Sequence, residues 1–135
     1  MSVHYMLDTN IVSHIIKGND PVVLKRVTAL SMDEVEVSVI TEAELMYGLI
    51  KHGSPAGLKL RIAEFLIRVN VIPWDSNAAL AYGTLRNGCQ KQGVALQDMD
   101  MLIAAHALAQ RSVLVSRDSA FGQVSPQLGL NVETW

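Results

Sequence analysis

The chain has 135 residues, half of them apolar, and a formal charge of −2 at pH 7. That length suits one domain with a buried core over residues 1–135, and the apolar content excludes a disordered chain. No stretch reaches the roughly 18 uninterrupted apolar residues of a membrane span; the near-neutral charge argues against a broad basic nucleic-acid surface, although a small metal-assisted site stays compatible with it.

The N-terminus lacks the basic-then-apolar pattern of a signal segment, and the single Cys89 has no internal disulfide partner. Both favour a cytoplasmic protein. In chain order, "VHYML" reads as a strand and "NIVSHIIKG" as a short helix closed by Gly18. "NDPVVLKRVTAL" is a helix with Asp20 as its N-cap and Pro21 in the first position. "VEVSVI" reads as a second strand, after which Thr41 opens a helix to about Lys51. "SPAGLKLRIAEFLIRVN" repeats the cap-then-proline start, with Leu58, Ile62, Phe65 and Leu66 on one face. "VIPW" is a brief strand, "DSNAALAYGTLRNGCQKQG" a helix up to Gly93, and "DMDMLIAAHALAQR" an alanine-centred helix. "SVLVS" and "LNVETW" supply the last strands. Strands alternating with helices imply right-handed crossovers and an α/β fold: a mainly parallel sheet of about four to five strands, helices on both faces.

In such a sheet, ligands bind outside the carboxyl ends of the strands. Acids sit at four such places: Asp8 after "YML", Glu42 and Glu44 after "VSVI", Asp98 and Asp100 before "LIAAHA", and Asp118 after "VLVS". Clustered carboxylates repel, so they must raise one another's pKa or recruit a cation. Mg²⁺ or Mn²⁺ takes oxygen ligands, and the chemistry implied is phosphoryl hydrolysis by metal-activated water. Each acid also has a structural explanation. "TEAE" fits a capping box with Thr41 as N-cap and Glu44 reaching back, Asp98 can cap its helix, and Asp118 suits a turn. Capping is less compelling for Asp8, because Thr9 can serve equally well. The histidines His4, His14, His52 and His106 lack metal-ligand spacing, and His106 reads as a helix-packing residue. No phosphate-binding glycine motif is present.

The segments "MLDTNIVSHIIKG", "VSVITEAELMYG", "DMLIAAHALA", "LVSRDSAF" and "GLNVETW", in that order, resemble the PIN-domain endoribonucleases, specifically the VapC-type toxins of bacterial toxin–antitoxin pairs. The resemblance implies a PIN-like domain and metal ligands Asp8, Glu44, Asp100 and Asp118, with Asp8 and Asp100 the chief ones. It selects Glu44 through "ELMYG" and Asp100 through its spacing to "IAAHA"; positions 98 and 100 of a helix differ by about 200° in direction, so both cannot face one ion. Thr9 and Asn10 would support Asp8 or the phosphate by hydrogen bonds. Arg86, Lys91 and Arg117 are candidate phosphate contacts, with a solvated helix face as the competing reading for Arg86 and Lys91. Related toxins often carry Thr-Asn-Asn or Thr-Asn-Asp where this chain has Ser-Arg-Asp, which puts Arg117 beside Asp118. The resemblance further implies an RNA substrate, Mg²⁺ or Mn²⁺, a homodimer and a VapB-type antitoxin that blocks the acidic site. Two rival readings remain at this level: an inactive PIN-like binding module, and an aspartyl phosphatase with Asp8 as nucleophile.

Overall fold

The short apolar runs do become strands, and each is too short to stand without the helices that cover it. A computed structural model describes residues 3–124 and 126–135. The elements are β1 (Tyr5–Leu7), α1 (Thr9–Lys17), α2 (Pro21–Thr28), β2 (Val35–Ser38), α3 (Val39–Lys51), α4 (Ala56–Arg68), β3 (Asn70–Ile72), α5 (Ser76–Gln92), α6 (Asp98–Gln110), β4 (Val113–Val115) and β5 (Val132–Glu133). Short 3₁₀ turns span Met32–Glu34, Ser119–Gln123 and Pro126–Leu128.

The five strands form one sheet in the order β3-β2-β1-β4-β5, and every pairing is parallel. From β1 the chain runs outward to β2 and β3, then returns past β1 to β4. The order therefore reverses at β1, which opens a crevice at its carboxyl end. Successive strand residues face opposite sides. Leu7, Val35, Val37 and Val115 join Ile11, Val23, Leu45 and Ile62 in a core beneath α1 to α4. Met6 and Leu114 join Leu85, Cys89, Met101, Ile103 and Phe121 beneath α5 and α6. Ala104, Ala105 and Ala107 are fully buried, and their small side chains let α6 lie close to the sheet and to α5.

Several boundaries differ from the sequence expectation for local reasons. The second strand stops at Ser38, whose hydroxyl accepts from the Ile40 N–H at 3.1 Å and caps α3, so Val39 and Ile40 begin a helix and Thr41 lies inside it. In α4 the helix starts at Ala56, and Ser54 has a left-handed φ of 54° in the turn that closes α3, with its N–H on the Leu49 carbonyl at 2.9 Å. Gln97 occupies the cap position of α6, which places Asp98 in the first turn. β3 begins at Asn70 and ends before Pro73, which has no N–H for a ladder. His106 is fully buried with Nδ1 2.7 Å from the Ser38 hydroxyl, and burial lowers its pKa. It is a neutral packing residue, as its setting among alanines indicated.

Candidate active site

Asp8 follows β1 directly and is the N-cap of α1: its Oδ1 accepts from the Ile11 N–H at 2.9 Å. Asp8 itself therefore performs the capping that Thr9 was equally suited to supply. The Thr9 hydroxyl donates instead to Glu44 Oε1 at 2.5 Å and lies 3.2 Å from the Thr41 hydroxyl. A carboxylate only accepts, so the Thr9 proton goes to Glu44 and its oxygen is left to accept from Thr41. The capping-box reading of Glu44 fails with the same observation. Because α3 begins at Val39, Glu44 stands beyond the first turn, on the face it shares with the fully buried Thr41.

Asp100 comes from the first turn of α6. Asp118 follows β4 and caps the 3₁₀ turn after it, accepting from the Ala120 N–H at 2.9 Å. Ser116 ties the two strand-end acids together. It is buried, receives the Asp118 N–H at 3.0 Å, and its hydroxyl hydrogen-bonds Asp8. Sequence reasoning gave Ser116 no role, although a polar residue ending a buried strand beside an acid was the available signal.

Asp8, Thr9, Asn10, Glu44, Gln97, Asp100 and Asp118 line one cavity of about 270 Å³. No lysine or arginine is among them. Burial pushes Asp100 up to about 6, and the charges of Asp118, Asp8 and Glu44 add to the shift. Asp8 is also raised, chiefly by burial, against the pull of its hydrogen bonds to Ser116 and Ile11. The donor set suits a hard divalent cation: all oxygen, anionic and electrostatically unrelieved. Among the described residues no three His, Cys, Asp or Glu side chains are drawn tightly enough around one point to hold an ion by themselves. Mg²⁺ usually keeps several waters beside one or two carboxylates, so it does not require three protein ligands at once.

The PIN-domain family profile matches residues 5–125. Over 131 residues the chain is 34% identical to "Ribonuclease VapC2" of Haemophilus influenzae, covering 97% of both chains. The chain belongs to the PIN-domain family, in its VapC branch. It is also 32% identical over 132 residues to the "tRNA(fMet)-specific endonuclease VapC" of Shigella flexneri, again covering 97% of each. The crystal structure of VapBC2 from Rickettsia felis bound to a DNA fragment from its promoter superposes with a TM-score of 0.89 at 28% identity, covering 98% of this chain and 99% of that one.

In this VapC-family chain the expected basic contacts do not line the acid cavity. Arg117 turns away from it, pairing with Asp20 through Nη1 at 2.6 Å and Nη2 at 3.2 Å and donating from Nε to the Trp135 carbonyl at 2.6 Å. Asp20 is held down to about 2 mainly by that arginine. Arg117 thus clamps the loop carrying Asp118 to the start of α2 and to the last residue of the chain. Arg86 hydrogen-bonds the Tyr82 hydroxyl at 2.8 Å and lines a different cavity, and Lys91 is exposed in the last turn of α5.

Proposed function

We propose that this protein is the toxin of a toxin–antitoxin pair, an endoribonuclease that uses Mg²⁺ or Mn²⁺ to hydrolyse RNA phosphodiester bonds. The observation that carries this reading is the convergence of Asp8, Glu44, Asp100 and Asp118, from four separate elements, on one cavity with no cationic side chain. Relatives named as ribonucleases, one of them specific for tRNA(fMet), support the RNA substrate. When bound, the divalent ion supplies Lewis acidity and activated water for in-line attack on phosphorus. The chain holds the carboxylates ready for it. Asp8 is fixed by the Ile11 N–H and Ser116, Glu44 by Thr9, and Asp118 by its own cap and the Arg117 clamp. Asn10, exposed at the rim of the cavity, offers an amide to a phosphate oxygen. Hydrolysis by water leaves a 5′-phosphate and a 3′-hydroxyl.

The inhibitory partner, by analogy with the VapBC complexes, is a VapB-type antitoxin. A cavity of about 330 Å³ between α2 and α4, lined by Leu24, Val27, Phe65 and Val69, offers an apolar segment a seat. A second cavity of about 200 Å³, lined by Ile16, Leu58 and Ile62, continues to Thr9 and Glu44. A segment lying along both reaches the acids, where a basic side chain would neutralise them. Tyr47 and Ile50 on α3, 68% and 70% exposed, are apolar surface suited to the contact between two copies in a homodimer.

Expression in a bacterial host tests the proposal. Wild type should arrest growth, Asp8→Asn should not, and RNA sequenced after brief induction should carry new 5′-phosphate ends. A harmless wild type would overturn the toxin reading. Ends bearing 2′,3′-cyclic phosphate would overturn attack by water, and a phosphoryl group trapped on Asp8 would favour the phosphatase.

A further inference from the structure

The first turn of α6 separates two cavities. Gln97 and Asp100 face the acid cavity, whereas Asp98 and Met101, each one position further round the helix, face a second one of about 220 Å³. Tyr82, Arg86 and Cys89 from α5 and Val94 and Leu96 from the following loop complete its walls. The two cavities therefore lie on adjacent faces of one helical turn. The second cavity is smaller than the roughly 300–1,000 Å³ of sites for drug-sized molecules, and it suits a single planar ring.

Its walls are part apolar and part polar, with Gln90 of α5 among them, and its rim carries one acid and one base. Arg86 is held rather than free: its Nη1 donates to the Tyr82 hydroxyl at 2.8 Å, and its guanidinium lies 5.8 Å from the Tyr82 ring centroid. Tyr82 is in turn braced edge-on by Trp74 at 6.3 Å, and Trp74 donates to the Leu102 carbonyl of α6 at 3.1 Å. The Asp98 side chain is exposed and, among the described residues, makes neither hydrogen bond nor ion pair, so it is not paired with Arg86 across the cavity. A carboxylate offers two acceptors and no donor, whereas a guanidinium offers a fork of donors.

We propose that this cavity receives the base of the nucleotide next to the cleaved phosphate, and that Asp98 and Arg86 select guanine there. The inference rests on the nuclease reading above and adds a base preference to it. Guanine alone among the RNA bases presents two adjacent N–H donors on one edge, N1 and N2, and two acceptors, O6 and N7, on the next. Asp98 takes the first pair and Arg86 the second. Adenine offers an acceptor at N1 and a donor at N6, and it meets the carboxylate with its acceptor. An amide in place of Asp98 reverses this, since it accepts from N6 and donates to N1.

Two measurements on the full chain test the inference. In the first, guanosine and adenosine monophosphates are titrated into the protein in excess chelator, with Trp74 fluorescence as readout and a Trp135→Phe background to isolate it. Wild type should bind the guanine nucleotide at least about five-fold tighter, and Asp98→Asn should shift the preference to adenine. In the second, single-stranded RNAs varied at the positions flanking the cut are cleaved with Mg²⁺. Wild type should favour guanine at one flanking position by about ten-fold, and Asp98→Asn should move that preference to adenine at the same position. Equal binding of the two nucleotides by wild type, or cleavage indifferent to flanking guanine, overturns the base cavity and leaves the nuclease reading intact. Discriminating binding with no cleavage of any RNA supports the cavity and overturns the nuclease.

Discussion

Asp8 does two jobs with one carboxylate, and the two can be separated. Asparagine caps a helix about as well as aspartate but carries no charge. Asp8→Asn should therefore keep its fold and its thermal midpoint within a few degrees, while RNA cleavage falls by roughly 100-fold or more. Asp8→Ala loses the cap as well, and chemical denaturation should show about 1 kcal/mol of further destabilisation. Thr9→Val preserves shape and removes the donor that fixes Glu44. It should lower kcat by about ten-fold with a small change in KM, because binding surface is kept and positioning is lost. At this scale the identity of the acids was legible in the sequence, whereas their partners were not. Asp8 and Thr9 are both capping residues, and nothing in their order says that the acid takes the cap and the hydroxyl crosses to Glu44. The same limit hid Ser116 and the turn of Arg117 towards Asp20, since both contacts depend on which distant segments the fold brings together.

Between elements, the Ser38 hydroxyl has a double role. It caps α3 and also meets the buried His106 of α6, so it joins the two helices that deliver Glu44 and Asp100. Ser38→Ala removes a cap and strips a buried ring nitrogen of its partner. The expected cost is about 2–3 kcal/mol, visible in urea unfolding, with RNA cleavage reduced because both acids shift. Sequence reasoning placed this boundary three residues late. Val39 and Ile40 are β-branched and continue the strand pattern, and "TEAE" mimics a capping box, so local propensity and motif agreed on the wrong start. Tertiary contacts with Thr9 and His106 are what favour the earlier one. Where strong caps stood alone, as at Asp20–Pro21 and Asp75, the helix starts match the expectation. The parallel sheet and its helical cover were equally legible, because the alternation of short apolar runs with helical periods leaves few other topologies.

Across the whole molecule, the sheet order gathers negative charge at one edge, and the fold carries a cost for it. Asp100 has a folded pKa of about 6, above the 3.8 of an unperturbed aspartate. The folded chain therefore binds this proton more tightly than the unfolded one. The associated stability is fully present below pH 3.8 and is lost as pH rises through about 6. Asp20, lowered to about 2, changes stability only at more acid pH, below this window. Metal-free protein should accordingly lose thermal stability between about pH 4 and 7, and Asp100→Asn should flatten that decline and raise the midpoint at pH 7.5 by a few degrees. Mn²⁺ should raise the wild-type midpoint at pH 7.5 by mass action and leave Asp100→Asn nearly unmoved.

All of these expectations depend on the acids acting as one cation-dependent hydrolytic centre. The most direct test is cleavage of a defined RNA by the purified protein across a Mg²⁺ titration, with excess chelator as the zero point and chemical analysis of the product ends. Cleavage should appear only with the ion, disappear in Asp100→Asn, and leave 5′-phosphate and 3′-hydroxyl termini. Equal cleavage in chelator, or by Asp100→Asn, would contradict the account.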